Sequence, residues 1–180
     1  MPKLLAPITF GTRLRRLAWH ITYLFIYRPT PVFAHVWRCL ILKMFGAEIS
    51  LDAFPYPDAR IWAPWNLVMK RGSCLGPNAN CYNPARIVLH ENALISQGAH
   101  LCSASHDYNL KEFPLTGAPI TIGPNAWIAA DVFVGPGVTV SDYGVALARA
   151  VIVKDVPSND IVAGNPARKV GVRELGQGSE

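Results

Sequence analysis

The chain has 180 residues, about half of them apolar, which is enough for one domain with a substantial core. Its formal net charge of +5 suits an acidic ligand or an anionic surface, but the basic residues are too scattered to indicate a nucleic-acid-binding protein. The four cysteines form no C-x-x-C pair and no secretory signal precedes them, so we expect reduced thiols in a cytoplasmic protein.

Two apolar helices are predicted near the start of the chain. The first spans residues 12–27, with three arginines in its first turn, and the second spans residues 32–45 and stops at Gly46. Neither supplies the roughly twenty uninterrupted apolar residues that a membrane span needs. We expect residues 1–48 to form a helical cap on the domain that follows. The alternative is that the first helix also lies against the inner face of a membrane as a peripheral contact.

From Ile49 to residue 105 the chain shows an imperfect repeat of six residues, in which an aliphatic position recurs. The repeat shifts after residues 61–66 and slips by two near Ile87. It stops at residues 107–119, a polar segment with two prolines that is out of phase with the rest. A solenoid has no structural need of such an excursion loop, so we expect it to be functional.

The clearest repeat runs from Ile122 to Pro157 without a slip. Every sixth position from Ile122 is apolar, namely Ile122, Ile128, Val134, Val140, Ala146 and Ile152. A period of six excludes an ordinary helix stripe and a plain alternating strand, and it is typical of a parallel β-helix with about eighteen residues per coil. We therefore predict an all-β fold, with residues 49–165 as the β-helix domain and residues 166–180 as a C-terminal tail.

His106 is the candidate catalytic residue. It lies directly before the excursion loop, and because the axis of a β-helix is filled, a site must lie on its outside. An imidazole there can take a proton from a hydroxyl near neutral pH. The alternative from the residues alone is an ordinary surface histidine.

Several motifs together resemble the left-handed β-helix acetyltransferases that carry hexapeptide repeats. Those motifs are the ladder itself, ASHD at 104–107, IGPNAWI at 122–128, PGVT at 136–139, KDVP at 154–157 and AGNPA at 163–167. Three more, FGA at 45–47, WAPWN at 62–66 and ISQGAHLC at 95–102, resemble the colanic-acid biosynthesis group of sugar O-acetyltransferases. The left hand of the helix is implied by this resemblance.

The resemblance implies direct transfer of an acetyl group from acetyl-CoA to a hydroxyl of a sugar or glycan precursor in surface polysaccharide biosynthesis. His106 would be the general base, and a backbone N–H would hold the oxyanion. Asn83 resembles a polar residue near the acceptor; the alternative is an asparagine that shapes a turn. No metal is expected.

For the donor, the resemblance places Trp127 along the pantetheine arm, and Ala130 and Ala148 where the backbone lines the acetyl-CoA channel. Lys154 and Arg168 would lie near the adenosine phosphates. Leu147 and Arg149 depart from the family, which has glycines there. Arg149 could add a phosphate contact, whereas Leu147 could narrow the channel.

Two other functions compete with this one. A γ-type zinc carbonic anhydrase needs three converging histidines, and the spacing of His90, His100 and His106 does not favour it. A non-catalytic trimeric scaffold at a membrane surface would leave His106 without a role. Because relatives build each active site between neighbouring subunits, we expect a homotrimer, with His106 of one chain facing Trp127 of another.

Overall fold

The protein is a parallel β-solenoid with three faces, preceded by two helices. The computed structural model describes residues 3–5 and 9–174. The first face consists of strands Glu48–Ile49, Leu67–Met69, Ile87–Leu89, Ile120–Ile122 and Thr139–Val140. The second consists of Phe54–Pro55, Cys74–Leu75, Leu94–Ile95, Trp127–Ile128, Val145–Ala146, Asp160–Ala163 and Arg168–Val172. The third consists of Arg60–Ile61, Asn80–Tyr82, His100–Cys102, Phe133–Val134 and Val151–Ile152. The predicted parallel β-helix is confirmed.

The aliphatic position of each hexad fills the axis. Ile95, Leu101 and Ile122, one from each face, are fully buried, and each is paired with an aliphatic residue of a neighbouring coil: Ile128, Val134 and Leu89, respectively. The predicted coil length of eighteen residues holds for the coil that begins at Ile122, but the last coil is shorter, since Ala146 pairs with Val162. Ile122 pairs with Val140, eighteen residues on, whereas Ile49 pairs with Met69, twenty residues on.

All of the variation in coil length occurs at one edge, where the third face turns into the first. The 3₁₀ turn Pro64–Asn66 lies at this edge in the first coil. In the third coil the excursion leaves from the same edge as a β-hairpin, in which Ala104–His106 pairs antiparallel with Leu115–Gly117. A third strand, Lys3–Leu4, pairs with Leu115–Gly117 on its other side, and the sequence did not predict it.

The two helices lie against the first coil. Helix α1 spans Phe10–Thr22 and continues as a π-helix over Tyr23–Tyr27, and helix α2 spans His35–Met44. The indole N–H of Trp19 donates a 2.7 Å hydrogen bond to the carbonyl of Ile61. The Nε of the buried Arg38 donates a 2.7 Å hydrogen bond to the carbonyl of Pro55. These contacts satisfy backbone groups at the open end of the solenoid.

Helix α1 begins earlier than its sequence pattern predicts, because the Thr9 side chain caps it by accepting a hydrogen bond from the Thr12 N–H. Within the described ranges, neither helix is long and apolar enough to cross a membrane.

The far end of the solenoid is closed by the chain turning back on itself. After a cis Asn165–Pro166 bond, Arg168–Val172 pairs antiparallel with Asp160–Ala163 and extends the second face. The part of the expected tail that the structure describes therefore belongs to the solenoid sheet, and residues 175–180 lie outside the described residues. The domain boundaries at residues 48 and 165 stay predictions.

Candidate active site

His106 ends the first strand of the hairpin, and its imidazole is exposed. Its Nδ1 lies 2.5 Å from the carbonyl oxygen of Phe113, on the far side of the loop. A carbonyl can only accept, so Nδ1 carries the proton, and in the neutral ring Nε2 has the free lone pair. The N–H of Asp107 donates a 3.0 Å hydrogen bond to the carbonyl of Pro114, which joins the two ends of the hairpin loop. The hairpin thus holds a histidine in the tautomer that a general base needs.

Asn83 makes its side-chain hydrogen bonds to the backbone of Ala63, and its role at the acceptor stays a prediction. The side chain is fully buried. Its Oδ1 accepts a 2.9 Å hydrogen bond from the N–H of Ala63, and its Nδ2 donates a 2.7 Å bond to the carbonyl of the same residue. The amide therefore satisfies backbone groups of Ala63 where the chain turns, as expected for an asparagine that shapes a turn.

Trp127 lies on the second face and is 39% exposed. Its indole N–H donates a 2.9 Å hydrogen bond to Oγ of Ser96 in the preceding coil. The ring borders a groove of about 400 Å³ that Leu94 and Arg173 also line. Nη1 of Arg173 is held there by a 2.9 Å hydrogen bond to the carbonyl of Asn125. An aromatic edge beside a fixed guanidinium suits an elongated ligand with anionic groups.

Ala130 and Ala148 lie in successive coils at the turn between the second and third faces. The carbonyl of Ala130 accepts a 2.9 Å hydrogen bond from the N–H of Arg149, the residue after Ala148. The backbone at Ala130 and the backbone at Ala148 therefore run side by side. Leu147 is 37% exposed at this turn. Arg149 has a positive φ of 62°, and its Nε lies 3.7 Å from a carboxylate oxygen of Asp131.

Lys154 and Arg168 line one groove of about 280 Å³ at the far end of the solenoid, together with Lys169. Lys169 is paired with the largely buried carboxylate of Asp160 at 2.6 Å. The positive charge in this groove therefore comes mainly from Lys154 and Arg168. The structure brings these two predicted donor residues together, but it places Trp127 in a different groove.

His106 and Trp127 lie on different sides of the prism. The hairpin leaves the edge between the third and first faces, whereas Trp127 projects from the second. A site that contains both residues therefore requires two chains.

A further cavity, of about 430 Å³, lies between helix α1 and the third face, and no sequence pattern predicted it. Its polar lining includes Arg16, Arg28, Arg60 and Asp58, beside the rings of four aromatic residues, Trp19, Tyr23, Trp62 and Tyr82. One carboxylate oxygen of Asp58 is buried and has no hydrogen-bond partner within residues 3–5 and 9–174. The sequence missed this site because its walls come from segments far apart in the chain.

Histidines do not converge in the described part of the chain. No group of three His, Cys, Asp or Glu residues there could hold a metal ion. The ring of His100 instead packs edge-on against Phe133, with the ring centres 5.5 Å apart, and burial lowers its pKa.

These features define a class: a three-faced solenoid of hexapeptide repeats with an exposed histidine on a hairpin. No protein-family model matches the chain. A protein of Escherichia coli K12, assigned as the colanic acid biosynthesis acetyltransferase WcaF, is 35% identical over 164 residues, which cover 91% of this chain and 89% of that one. The galactoside O-acetyltransferase of Escherichia coli K12 is 30% identical over 134 residues, which cover 73% of this chain and 66% of that one.

A solved structure shows the same fold. Galactoside acetyltransferase in complex with coenzyme A superposes with a TM-score of 0.82 at 24% identity, over 94% of this chain and 86% of that one. The likeness to WcaF extends over nearly the whole of both chains. The chain belongs to the hexapeptide-repeat acetyltransferases, in the family of WcaF.

Proposed function

We propose that the protein transfers the acetyl group of acetyl-CoA to a hydroxyl of a sugar or glycan precursor. The sequence relatives support this, since one is assigned to colanic acid biosynthesis and another is a galactoside O-acetyltransferase. The solved galactoside acetyltransferase was captured with coenzyme A.

The hydrogen bond from His106 to Phe113 is the observation that carries the proposal. In the reaction, Nε2 takes the proton of the acceptor hydroxyl as its oxygen attacks the thioester carbonyl. The C–S bond then breaks, and the imidazolium returns its proton to the thiolate of CoA. The carbonyl of Phe113 keeps the proton on Nδ1, so the lone pair of Nε2 is the one available to the acceptor hydroxyl.

Direct transfer needs no covalent acyl-enzyme, so no nucleophilic serine or cysteine is required. A backbone N–H close to the thioester would hold the developing oxyanion. The donor would extend along Trp127 and past the backbone of Ala130 and Ala148, with Lys154 and Arg168 near its phosphates.

The working form would be a homotrimer, in which His106 of one chain faces the Trp127 groove of the next. The separation of the two residues on one chain supports this arrangement.

Acetyl-CoA turnover with a panel of sugars and nucleotide sugars tests the proposal. The variant His106→Ala should lose about 10²- to 10⁴-fold in kcat with little change in acetyl-CoA binding, because only the proton transfer is removed. His90→Ala is the matched control and should retain wild-type turnover, since His90 lies at the turn after Ile87–Leu89, between the first and second faces, away from the edge where the hairpin leaves. Equal turnover by His106→Ala and wild type would exclude the histidine mechanism.

A further inference from the structure

Helix α1 has two apolar stripes, and only one of them is covered. Trp19, Tyr23 and Tyr27 face the solenoid and pack on one another. The other stripe points outward and remains exposed at Phe10, Leu14, Leu17, Ile21 and Phe25, with Phe10 81% and Phe25 75% exposed. The spacing of three or four residues keeps these side chains on one side of the helix.

Helix α2 repeats this arrangement. Cys39, Ile41 and Leu42 are buried against the first coil. Its other side, with the segment before it, exposes Val32, Phe33, Val36, Trp37, Leu40 and Met44, of which Phe33 and Met44 are more than 80% exposed. Exposed apolar area of this extent usually marks an interaction surface.

The same segment carries the positive charge of the protein. Residues 1–47 hold seven Lys and Arg and no Asp or Glu, whereas the remaining residues hold ten Lys and Arg against twelve Asp and Glu. Arg38 is buried and Arg28 lines the cavity under α1, but Arg13 and Lys43 are exposed beside the apolar stripes. The net charge of +5 therefore arises wholly from the helical segment.

We infer that this surface, the outward stripes of α1 and α2 with their flanking basic residues, binds the interface of an anionic lipid bilayer. Apolar stripes flanked by basic side chains favour a helix lying in the plane of such a membrane. A symmetric contact between two copies through the same surface would bring the exposed basic side chains of one copy, Arg13 and Lys43, against those of the other, which disfavours a second copy as the occupant.

Vesicle sedimentation of the full chain tests the inference. The probes are phosphatidylcholine vesicles, alone or with roughly 30 mol% phosphatidylglycerol. The wild type should pellet with the anionic vesicles and much less with the neutral ones. Ile21→Gln combined with Phe25→Gln should reduce partitioning by about tenfold or more, because two exposed apolar anchors are lost. Arg13→Gln combined with Lys43→Gln should weaken binding to the anionic vesicles alone.

Two double variants away from this surface serve as matched controls. Val170→Gln with Val172→Gln removes two exposed apolar side chains from the C-terminal strand, and Lys70→Gln with Arg71→Gln removes two exposed charges from the solenoid. Both should pellet like the wild type. Acetyl transfer to a water-soluble acceptor should be unchanged in the Ile21/Phe25 and Arg13/Lys43 variants, which separates this inference from the proposed function.

Failure of the wild type to pellet, or equal pelleting by the Ile21/Phe25 variant, would overturn the inference. A fall in oligomer mass for that variant, measured by light scattering in the absence of vesicles, would also overturn it, because the stripes would then belong to a contact between subunits.

Discussion

His100 gives the protein a stability that depends on pH. It is half-buried, and its Nε2 is a buried atom with no hydrogen-bond partner in the described ranges. Burial disfavours the charged imidazolium and lowers the pKa of His100 below its ordinary value of 6.5. The unfolded chain regains the ordinary pKa and so binds more protons as the pH falls through about 6.5. The contribution of His100 to the free energy of unfolding is therefore lost on acidification.

Thermal unfolding at two pH values measures this effect. Between pH 7.5 and pH 5.5, the melting temperature of the wild type should fall further than that of His100→Gln, which has no proton to gain. Above about pH 7.5 the two melting temperatures should change with pH in the same way, because His100 is neutral in both the folded and the unfolded chain. If the melting temperatures of the two proteins fell equally between pH 7.5 and pH 5.5, His100 would not contribute to the pH dependence of stability.

Single residues also show where sequence reasoning ends. His106 could be singled out because it stands directly before a break in the repeat and within a family motif. The hydrogen-bond partner of His106 could not be predicted from the sequence, because the carbonyl of Phe113 is a backbone group that any residue supplies. Asn83 shows a related limit: an asparagine that satisfies a neighbouring backbone and one that contacts a substrate look alike in sequence, so its acceptor role stays a prediction.

Among the elements, α1 depends on Trp19 for its attachment to the solenoid. The indole is 3% exposed, packs against Phe45 with ring centres 5.2 Å apart, and donates to the carbonyl of Ile61. Trp19→Ala should lower the free energy of unfolding by about 3–5 kcal/mol, since it leaves a large cavity and an unpaired carbonyl. Chemical denaturation of the full chain measures the loss.

The matched control for this change is Trp37→Ala on helix α2, where the indole is 50% exposed. We expect that substitution to change the free energy of unfolding by only about 0.5 kcal/mol, as for most surface positions. Losses of equal size in the two variants would contradict the assignment of Trp19 as the attachment of α1.

Among the elements, the strands of the solenoid could be predicted from the sequence, whereas the strands outside the hexapeptide repeat could not. Each coil repeats the same local pattern, so the hexads fix which residues point inward. The strand Lys3–Leu4 has no such pattern, because two residues pair with a distant hairpin and tertiary contacts alone make them a strand. The return strand Arg168–Val172 depends in the same way on Asp160–Ala163.

For the whole molecule, the separation of His106 from Trp127 on one chain makes the proposed trimer testable by mass and by mixing. Light scattering should give about three times the chain mass of 19.7 kDa. A monomer at working concentration would leave the two residues on separate sides of one prism and contradict a shared site.

Mixing two defective chains is the sharper test of a shared site. His106→Ala and Trp127→Ala should each have low activity alone at limiting acetyl-CoA, because one removes the base and the other weakens donor binding. When the two are expressed together and assemble at random, half of the interfaces receive an intact His106, and half of those face an intact Trp127. Activity should then recover to about one quarter of the wild-type value. If each chain carried a complete site of its own, the mixture would stay as inactive as its components.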